Sequence, residues 1–419
     1  METDLLNPES KLRTETPFKI EQFKYRSLYM PVENNSSLLP IIIAEIQNAP
    51  EEKITFSRYM DLCLYHDIEG YYNSPNLNIG TQGDFVTSVS LSIDFAELLA
   101  KQLYELWQIL DQPSPFNLVE MGAGEGELAK NILIFFVNNY PEIIDNLQYI
   151  IIEKSNSLRQ KQKAILDKEL PVEIDVKWTQ LDEIIDESIV GCFFSNELID
   201  AMPVHLLQWY QGELKEVYLT DSENKITEKI DVLSNNRINE YFQENNININ
   251  YNYPENYQTE VNLQAIDWLE KISQKLKKGF LLTIDYGYTA EKYYHPQRSQ
   301  GTLKCYFQHR HHNNPYVNIG RQDITSHVNF TALQNYGKHY GLITAGYIEQ
   351  ALFLMNLGLG ERLTQLSTGQ MGLEKIISRR NQLHQLINPQ GLGNFKVLLQ
   401  SKNLKSEAVQ EHIQGFKEL

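Results

Sequence analysis

Cysteine is scarce in this sequence: the 419 residues include only Cys63, Cys192 and Cys305. They lie far apart and form no CxxC pair, which argues against a disulfide framework and a cysteine-based zinc site. No long apolar run is present near the N-terminus, where residues 38–46 contain a proline and a glutamate and are too few to span a bilayer. Residues 1–4 lack the basic and apolar pattern of a signal peptide. These absences predict a cytoplasmic protein without membrane insertion.

Positive charge is also in short supply. The chain has 37 Lys and Arg against 54 Asp and Glu, a net charge of −17. Such a surface repels phosphate backbones, so we expect no nucleic-acid partner. It suits a basic partner, although acidity more often serves solubility alone. The hydrophobic share of 42% and the length allow a full α/β core with substantial additions.

Strand and helix patterns alternate along much of the chain. The predicted strands are residues 116–121, 148–153, 172–178, 192–196 and 279–285. Helical patterns lie between them, with apolar side chains at steps of three and four. Strands that alternate with helices form parallel βαβ units. We therefore predict an α/β fold with a Rossmann-like core, a doubly wound and mostly parallel sheet.

Composition and pattern divide the chain into six segments. A polar arm is followed by helical patterns, and the β/α alternation is interrupted by a hairpin and by an Asn-rich stretch. This stretch is predicted to be a surface excursion or a partly ordered cap, with a loop without a role as the alternative. The segments are a loosely ordered arm (1–37), an N-terminal helical region (38–112), the first part of the core (113–204), an insertion (205–259), the continuation of the core (260–290), and a substrate-pocket segment with C-terminal helices and strands (291–419).

The first predicted strand ends in a glycine-rich turn, Glu120-Met121-Gly122-Ala123-Gly124-Glu125-Gly126. Its GxGxG spacing differs from the GxGxxG of a pyrophosphate cradle. Glu120 would repel a pyrophosphate but suits the cationic methionyl end of S-adenosylmethionine. Glu153, at the tip of the second strand, can accept hydrogen bonds from both ribose hydroxyls. We predict S-adenosylmethionine as the cofactor, with Glu120, Gly122, Ala123, Gly124 and Glu153 around it. A dinucleotide enzyme, or glycines that serve only packing, are the alternatives.

The other strand ends supply further candidates, since ligands of doubly wound folds lie across the carboxyl ends of the strands. Leu181 and Asp182 follow the third strand and would border the adenine, with Asp182 accepting its amino group or capping a helix. Asn196 ends the fourth strand and is expected beside the cofactor. Tyr286 follows the fifth strand and either forms a wall of the substrate pocket or serves packing.

Glu197 and Asp200 are the predicted catalytic residues, with Glu197 the first choice. Two acidic side chains three apart are unusual where an apolar strand ends. If the methyl acceptor is an arginine guanidinium, whose pKa lies above about 12, paired carboxylates can orient the cation and accept its proton. The alternative is that Asp200 caps a helix and Glu197 bonds backbone.

Histidines supply one further candidate. His327 could accept a proton, although a lone histidine is more often structural. The stretch His309-Arg310-His311-His312 lacks ligand spacing on a regular element, so we predict no metal site.

Several segments together resemble one family, the MidA-type methyltransferases, which depend on S-adenosylmethionine and include a mitochondrial complex I assembly factor assigned to protein arginine methylation. Their order and spacing cover about residues 38–360. The segments are 59–72, 83–88, 120–126, 196–204, 284–287, 306–310 and 323–330.

The resemblance implies a class I methyltransferase core with an N-terminal helical region and with inserted and C-terminal additions that bind the substrate. It also implies a protein substrate, possible homodimer formation, and a role in assembling a respiratory NADH-dehydrogenase-type complex. It places Glu197 and Asp200 in the family's acidic element. Residues that cover the cofactor are then Gly83, Asp84, Phe85, Thr87 and Ser88. Residues that contact the substrate are then Tyr286, His309, Arg310 and Asp323.

The sequence departs from the family at three places. Residues 89–92 replace a Pro-Glu-Ile-Ser, and Asn314 and Asn329 each stand where the family has an aspartate. Loss of two carboxylates could alter the recognition of a cationic substrate. It bears on the choice of arginine as substrate and leaves the prediction of methyl transfer unchanged. An assembly chaperone that binds the cofactor without turnover and a small-molecule methyltransferase are the alternatives.

Overall fold

The computed structural model describes residues 37–73, 88–308, 310–366, 372–404 and 413–417. The helices are α1 (Leu38–Asn48), α2 (Phe56–Tyr65), α3 (Ser88–Leu91), α4 (Ile93–Ile109), α5 (Glu127–Asn139), α6 (Pro141–Ile144), α7 (Asn156–Glu169), α8 (Arg237–Glu244), α9 (Leu263–Lys275), α10 (Ala290–Tyr293), α11 (Phe330–His339), α12 (Gln350–Asn356), α13 (Leu359–Leu366) and α14 (Leu373–Leu386). Within these ranges every helix is too short or too polar to cross a membrane.

The strands fall into a large sheet, a second sheet and two small groups. They are β1 (Lys53–Thr55), β2 (Phe116–Met121), β3 (Leu147–Ile152), β4 (Val176–Thr179), β5 (Ile189–Asn196), β6 (His205–Tyr210), β7 (Glu213–Ser222), β8 (Lys225–Asp231), β9 (Gln258–Val261), β10 (Leu276–Asp285), β11 (Gly287–Tyr288), β12 (Lys304–Phe307), β13 (Arg310–His312), β14 (Asp323–Thr325), β15 (Val328–Asn329), β16 (Ile343–Glu349) and β17 (Lys396–Lys402).

The large sheet has seven strands in the order β16-β17-β10-β5-β2-β3-β4. Strands β10, β5, β2, β3 and β4 run parallel, while β17 is antiparallel to both of its neighbours. The chain moves outward from β2 in one direction and then in the other, so the strand order reverses between β2 and β5. This topology confirms the predicted doubly wound α/β fold, and its switch point lies beside the glycine-rich turn.

Successive residues of the parallel strands point to opposite faces of the large sheet, and both faces are buried. Leu118 and Cys192 join a core that includes the apolar side of α4. Val119 and Phe193 join a second core, which includes Trp268 of α9. Strands covered on both faces are expected to be mainly apolar, and the middle residues of β2 and β5 follow this rule, with Asn117 and Glu120 as the polar residues of β2. The layers hold the ends of β2, β3 and β5 in fixed positions for the site.

The insertion is more regular than its composition indicated. The predicted hairpin is present as β6 and β7, and together with β1, β8 and β9 it forms a five-stranded antiparallel sheet. One edge of β7 pairs with β6 and β1, and the other edge pairs with β8. The Asn-rich stretch begins with α8, whose Tyr241 and Phe242 are buried against Tyr294 and its neighbours. Aromatic side chains therefore anchor this part of the stretch as an ordered helix.

Two small strand groups bring residues 286–329 close to the carboxyl ends of the large sheet. Strands β13, β12 and β14 form an antiparallel group, and β11 pairs with β15. The pair is close enough that a Cβ on Gly287 would lie 2.1 Å from the Val328 carbonyl oxygen. The Ser326 amide donates to the Asp200 carbonyl oxygen at 2.8 Å, which ties this segment to the end of β5.

Candidate active site

The glycine-rich turn follows β2 and needs glycine for its backbone conformation. Gly122 has a φ of +71° and Gly124 a φ of +53°, values that side chains with a Cβ rarely adopt. A Cβ on Gly122 would also come within 2.8 Å of Leu198, whereas one on Gly124 would meet no atom within 4 Å. Ala123, between them, is buried and accepts a hydrogen bond from the Gly126 amide at 2.9 Å. The turn therefore packs on the Leu198 side and is open at Gly124, which fits a ligand that approaches its backbone.

Glu120 lies at the base of this turn and is 2% exposed. The Tyr149 hydroxyl donates to its Oε2 at 2.6 Å. Burial raises the pKa of Glu120 to about 7, the Tyr149 hydrogen bond opposes that rise, and the negative charge of Glu153 adds to it. A buried carboxyl with such a pKa gains from a cation nearby, as the predicted role requires.

Glu153 follows β3, and its carboxylate is held on both oxygens. The Ser155 amide donates to Oε1 at 2.9 Å, and the Gln162 side chain of α7 donates to Oε2 at 3.1 Å. The same Gln162 nitrogen donates to the Gly124 carbonyl oxygen at 2.8 Å, and its oxygen accepts from the Trp178 indole at 3.0 Å. Gln162 thus joins the carboxylate to the glycine-rich turn. The sequence did not predict Gln162 as a site residue, because α7 is polar and the burial of one glutamine in it becomes visible only in the structure.

Leu181 and Asp182 form a short turn after β4, capped by Gln180 and Glu183. Leu181 packs against the second core. The Asp182 side chain is 73% exposed and lies 2.8 Å from the Lys271 ammonium of α9. The alternative role of Asp182 as a helix cap was wrong, since Gln180 is the cap. Its contact with adenine stays a prediction, because the structure pairs the carboxylate with Lys271.

The chain turns sharply after β5, at Glu197. This residue has a φ of +52°, a conformation that costs a non-glycine residue about 1 kcal/mol or more. Its amide donates to the Ile284 carbonyl oxygen at 2.9 Å. Its Oε1 accepts from the Ser88 amide at 3.2 Å and from the Asn196 side chain at 3.1 Å. The strained turn directs the side chain toward the same strand ends as the glycine-rich turn.

Asp200 lies three residues after Glu197. It is held by Asp285, the last residue of β10, and by the next residue, Tyr286. The Tyr286 hydroxyl donates to its Oδ2 at 2.7 Å. Asp285, at the end of β10, accepts from the Ile199 and Asp200 amides at 3.0 and 3.2 Å and from the Tyr286 amide at 2.8 Å. Asp285 therefore positions the whole acidic turn. It was not predicted as a site residue, because its role depends on contacts between distant segments.

We call Glu197, Asp200 and Asp285 the acid cluster. Burial and the neighbouring Asp200 charge raise the pKa of Glu197 to about 8, and burial raises the pKa of Asp200 to about 6. Burial and both neighbouring carboxylates raise the pKa of Asp285 well above its usual range. Like charges in one buried site disfavour joint ionisation. The cluster would therefore be stabilised by a cationic guest.

Three oxygen atoms at this place are buried and accept no hydrogen bond from the residues that the structure describes. They are Asn196 Oδ1, Glu197 Oε2 and Asp200 Oδ1. Buried acceptors are normally paired, and leaving one unpaired costs about 1–3 kcal/mol. The cluster lies beside the glycine-rich turn, since Met121 and Ser195 are partners in the sheet. The three acceptors fit a ligand with several N–H donors.

Aromatic residues line the other side of the acid cluster. The rings of Tyr65 and Tyr72 stack with centroids 5.4 Å apart. Tyr65 donates to the Ala201 carbonyl oxygen at 3.0 Å, and Tyr72 donates to Asp323 Oδ1 at 3.0 Å. Asp323 is thus close to the cluster, as predicted for a substrate contact. The two tyrosines were not predicted, although they belong to segments that carried the family resemblance.

His327 has a different environment from the one expected of a base. Its ring stacks on Tyr288 with centroids 4.9 Å apart and meets Tyr286 edge-on at 5.0 Å. Burial and the positive charge of Arg298 lower the pKa of His327 to about 4. A neutral ring with this pKa is a weak base, so the catalytic role of His327 as a proton acceptor stays a prediction that its surroundings do not favour. It packs against the tyrosine that bonds Asp200.

Of the remaining predicted residues, some lie within the described ranges and others lie outside them. Ser88 is inside it, and its hydroxyl donates to Gln350 at 3.3 Å while its amide bonds Glu197. Arg310 is exposed on β13. Across the described ranges, no three His, Cys, Asp or Glu side chains are grouped to hold a metal ion. The predicted residues that lie outside the described ones are Gly83, Asp84, Phe85, Thr87 and His309.

Comparison with known proteins identifies relatives of this chain. Residues 98–348, more than half of the chain, match the model of a family described as S-adenosyl-L-methionine-dependent methyltransferases. The chain is 29% identical to a Burkholderia thailandensis protein, solved with bound S-adenosyl-homocysteine; the match covers 90% of this chain and 94% of that one, with a TM-score of 0.79. It is 26% identical to the mitochondrial protein arginine methyltransferase NDUFAF7 of Homo sapiens, over 87% of this chain and 84% of the relative.

A second curated relative is the mitochondrial homologue of that enzyme in Drosophila melanogaster, 26% identical over 75% of this chain and 73% of the relative. Both relatives are mitochondrial proteins, and this finding contradicts the cytoplasmic location predicted above. The prediction was wrong because it rested on the composition of a few N-terminal residues and on cysteine usage. The cofactor prediction is confirmed by the family and by the ligand of the bacterial structure. The chain belongs to this family of S-adenosyl-L-methionine-dependent methyltransferases.

Proposed function

We propose that this enzyme methylates the guanidinium group of an arginine side chain in a protein. The observation that carries the proposal is the set of three buried, unpaired acceptors on Asn196, Glu197 and Asp200. A guanidinium presents five N–H donors in a planar fork, whereas a lysine ammonium presents three donors from one point. Acceptors on three neighbouring side chains suit the fork. The names of the curated relatives, protein arginine methyltransferases, support the same substrate class.

The two aspartates that this sequence lacks do not weaken the cation site. Asn329 caps α11 by accepting from the Ala332 amide at 3.3 Å, and it donates to the Tyr241 hydroxyl at 2.9 Å. Asn314 accepts from the Tyr316 amide at 3.0 Å. Both amides make local contacts, so the positive charge of the substrate would be met by Glu197 and Asp200 instead.

Bound S-adenosylmethionine supplies an electrophilic methyl group, and this chain supplies position and a proton acceptor. Glu153, restrained by Gln162, is placed to accept hydrogen bonds from the ribose hydroxyls. Asp200, fixed by Tyr286, orients the guanidinium. Transfer of the methyl group to the acceptor nitrogen would break the carbon–sulfur bond and release neutral S-adenosyl-homocysteine, and the nitrogen must lose one proton for the product to remain a monocation. The bound guanidinium would favour the ionised form of Glu197, and Glu197 Oε2 would then take that proton, because its pKa is raised further than that of Asp200.

The test is labelled methyl transfer into a protein extract depleted of this enzyme, followed by identification of the modified residue. Glu197→Gln should lower transfer by about a hundredfold or more and leave S-adenosyl-homocysteine affinity nearly unchanged. Glu169→Gln, on the exposed end of α7, is the matched control. Label on another residue type, or on small molecules alone, would contradict the proposal. Assembly activity that survives Glu197→Gln would favour the chaperone alternative.

For the protein substrate we propose a subunit of a respiratory NADH-dehydrogenase-type complex. The support is the family resemblance of the sequence, and the extract labelling would name the protein directly. Homodimer formation stays a prediction that sedimentation can check.

A further inference from the structure

The charged residues in one stretch of this acidic protein are all positively charged. From Lys292 to Gln322 the sequence has no Asp or Glu, yet it has five Lys and Arg residues. The whole chain, by contrast, has 54 acidic residues against 37 basic ones. A net positive stretch in a net negative protein makes the local electrostatic potential more positive for a partner that binds there.

Three of the positive side chains, Lys292, Arg298 and Lys304, are connected to the acid cluster through aromatic rings or strand pairing. The Arg298 guanidinium and the Lys292 ammonium lie 4.4 and 4.7 Å from the ring centroid of Tyr288. Tyr288 stacks on His327, and His327 contacts the tyrosine that bonds Asp200. Lys304 begins β12, the strand that pairs with β14 and its Asp323. The positive charges of Arg298 and Lys304 both contribute to the low pKa of His327, which places them near that ring.

Among the described residues, these side chains have no carboxylate partner. Several cations elsewhere do pair with carboxylates, as Lys271 does with Asp182. Lys304 instead donates to the Asn313 amide oxygen at 2.7 Å. Among the residues that the structure describes, no carboxylate lies within ion-pair distance of Lys292, Arg298, Lys304 or Arg310. We call these four side chains the basic surface.

We propose that the basic surface binds acidic side chains that flank the target arginine in the substrate protein. This inference rests on the proposed arginine methylation and adds sequence selectivity to it. The acid cluster by itself would attract any cationic segment, including one rich in lysine. The basic surface repels such a segment and attracts one with Asp or Glu beside the arginine. Selectivity then comes from an attractive and a repulsive element together.

The experiment compares three synthetic peptides with a central arginine flanked by Glu, by Ser or by Lys, with labelled S-adenosylmethionine as methyl donor. We expect the Glu-flanked peptide to have a KM about tenfold below that of the Ser-flanked one and the Lys-flanked peptide to be the poorest. The difference should shrink as ionic strength rises from about 0.05 M to about 0.5 M. Equal KM values for the three peptides would overturn the proposal and leave arginine methylation standing. Absence of transfer to every arginine peptide would contradict both.

Charge reversal tests the surface itself. Lys304→Glu combined with Arg310→Glu should raise the KM for the Glu-flanked peptide about tenfold and lower it for the Lys-flanked peptide. Lys168→Glu is the matched control, since this lysine is 79% exposed at the end of α7, away from the strand ends that form the site. The proposal fails if the control and the double variant behave alike. It also fails if a single-stranded oligonucleotide competes as well as the Glu-flanked peptide, which would assign the surface to phosphate groups.

Discussion

Replacement of Gln162 tests whether one buried amide organises the cofactor site. Its side chain is fully buried and makes hydrogen bonds to Gly124, Glu153 and Trp178. Gln162→Leu keeps a similar volume but removes all three contacts. Each buried polar group left unpaired costs about 1–3 kcal/mol. Because the turn is open at Gly124 and Trp178 is half-buried, water can replace part of the loss. We expect the free energy of unfolding to fall by about 2 kcal/mol.

The effect on the cofactor should exceed a general loss of stability. Without Gln162, the Glu153 carboxylate and the glycine-rich turn are no longer joined, so the cofactor must order them when it binds. We expect the Kd for S-adenosyl-homocysteine to rise about tenfold, which corresponds to about 1.4 kcal/mol. Titration calorimetry on the folded variant measures this Kd, and thermal unfolding measures the stability. Gln160→Leu, on the exposed side of the same helix, should change neither. A wild-type Kd for Gln162→Leu would refute the assigned role of this amide.

Two further predictions concern the acid cluster and its neighbours. His327→Phe should keep methyl transfer within about threefold of wild type, whereas His327→Ala should lose about tenfold by freeing Tyr286 from its position on Asp200; equal losses would restore a catalytic role for the imidazole. The folded protein binds the Glu197 proton more tightly than the unfolded chain, since its pKa rises from 4.5 to about 8. Stability of the cofactor-free protein should therefore fall as pH rises between these values. Glu197→Gln should raise the Tm more near pH 8 than near pH 5, and a pH-independent difference in Tm would contradict the raised pKa.

Local sequence patterns predicted the core, because strands that are buried on both faces have mainly apolar residues. The residues of β2 and β5 are mainly apolar, with Asn117, Glu120, Ser195 and Asn196 as the polar exceptions, and the glycine-rich turn indicates its own backbone conformation. The acidic pair Glu197 and Asp200 could be predicted for a related reason, since charge is unusual where a buried strand ends. These features depend on neighbours in the chain and need no knowledge of tertiary contacts.

The residues that sequence reasoning missed act across long separations. Gln162 lies in a polar helix, and only the position of that helix against the glycine-rich turn gives its amide a role. Asp285 fixes the acidic turn from the end of another strand. For His327 the residue was correctly placed near the site, but its protonation depends on Arg298 and on burial. Neither can be read from a short motif.

The pairing of Lys53–Thr55 with the middle of β7 has a consequence for protein engineering. The N-terminal helices and the inserted hairpin share one sheet through this contact, and Ile54 is buried there beside Leu219. Excision of residues 205–259 to obtain a minimal catalytic core would leave those three residues without their partner strand and expose α1 and α2. A shortened enzyme would therefore have to lose both regions together, and with them Tyr65 and Tyr72, which lie beside the acid cluster.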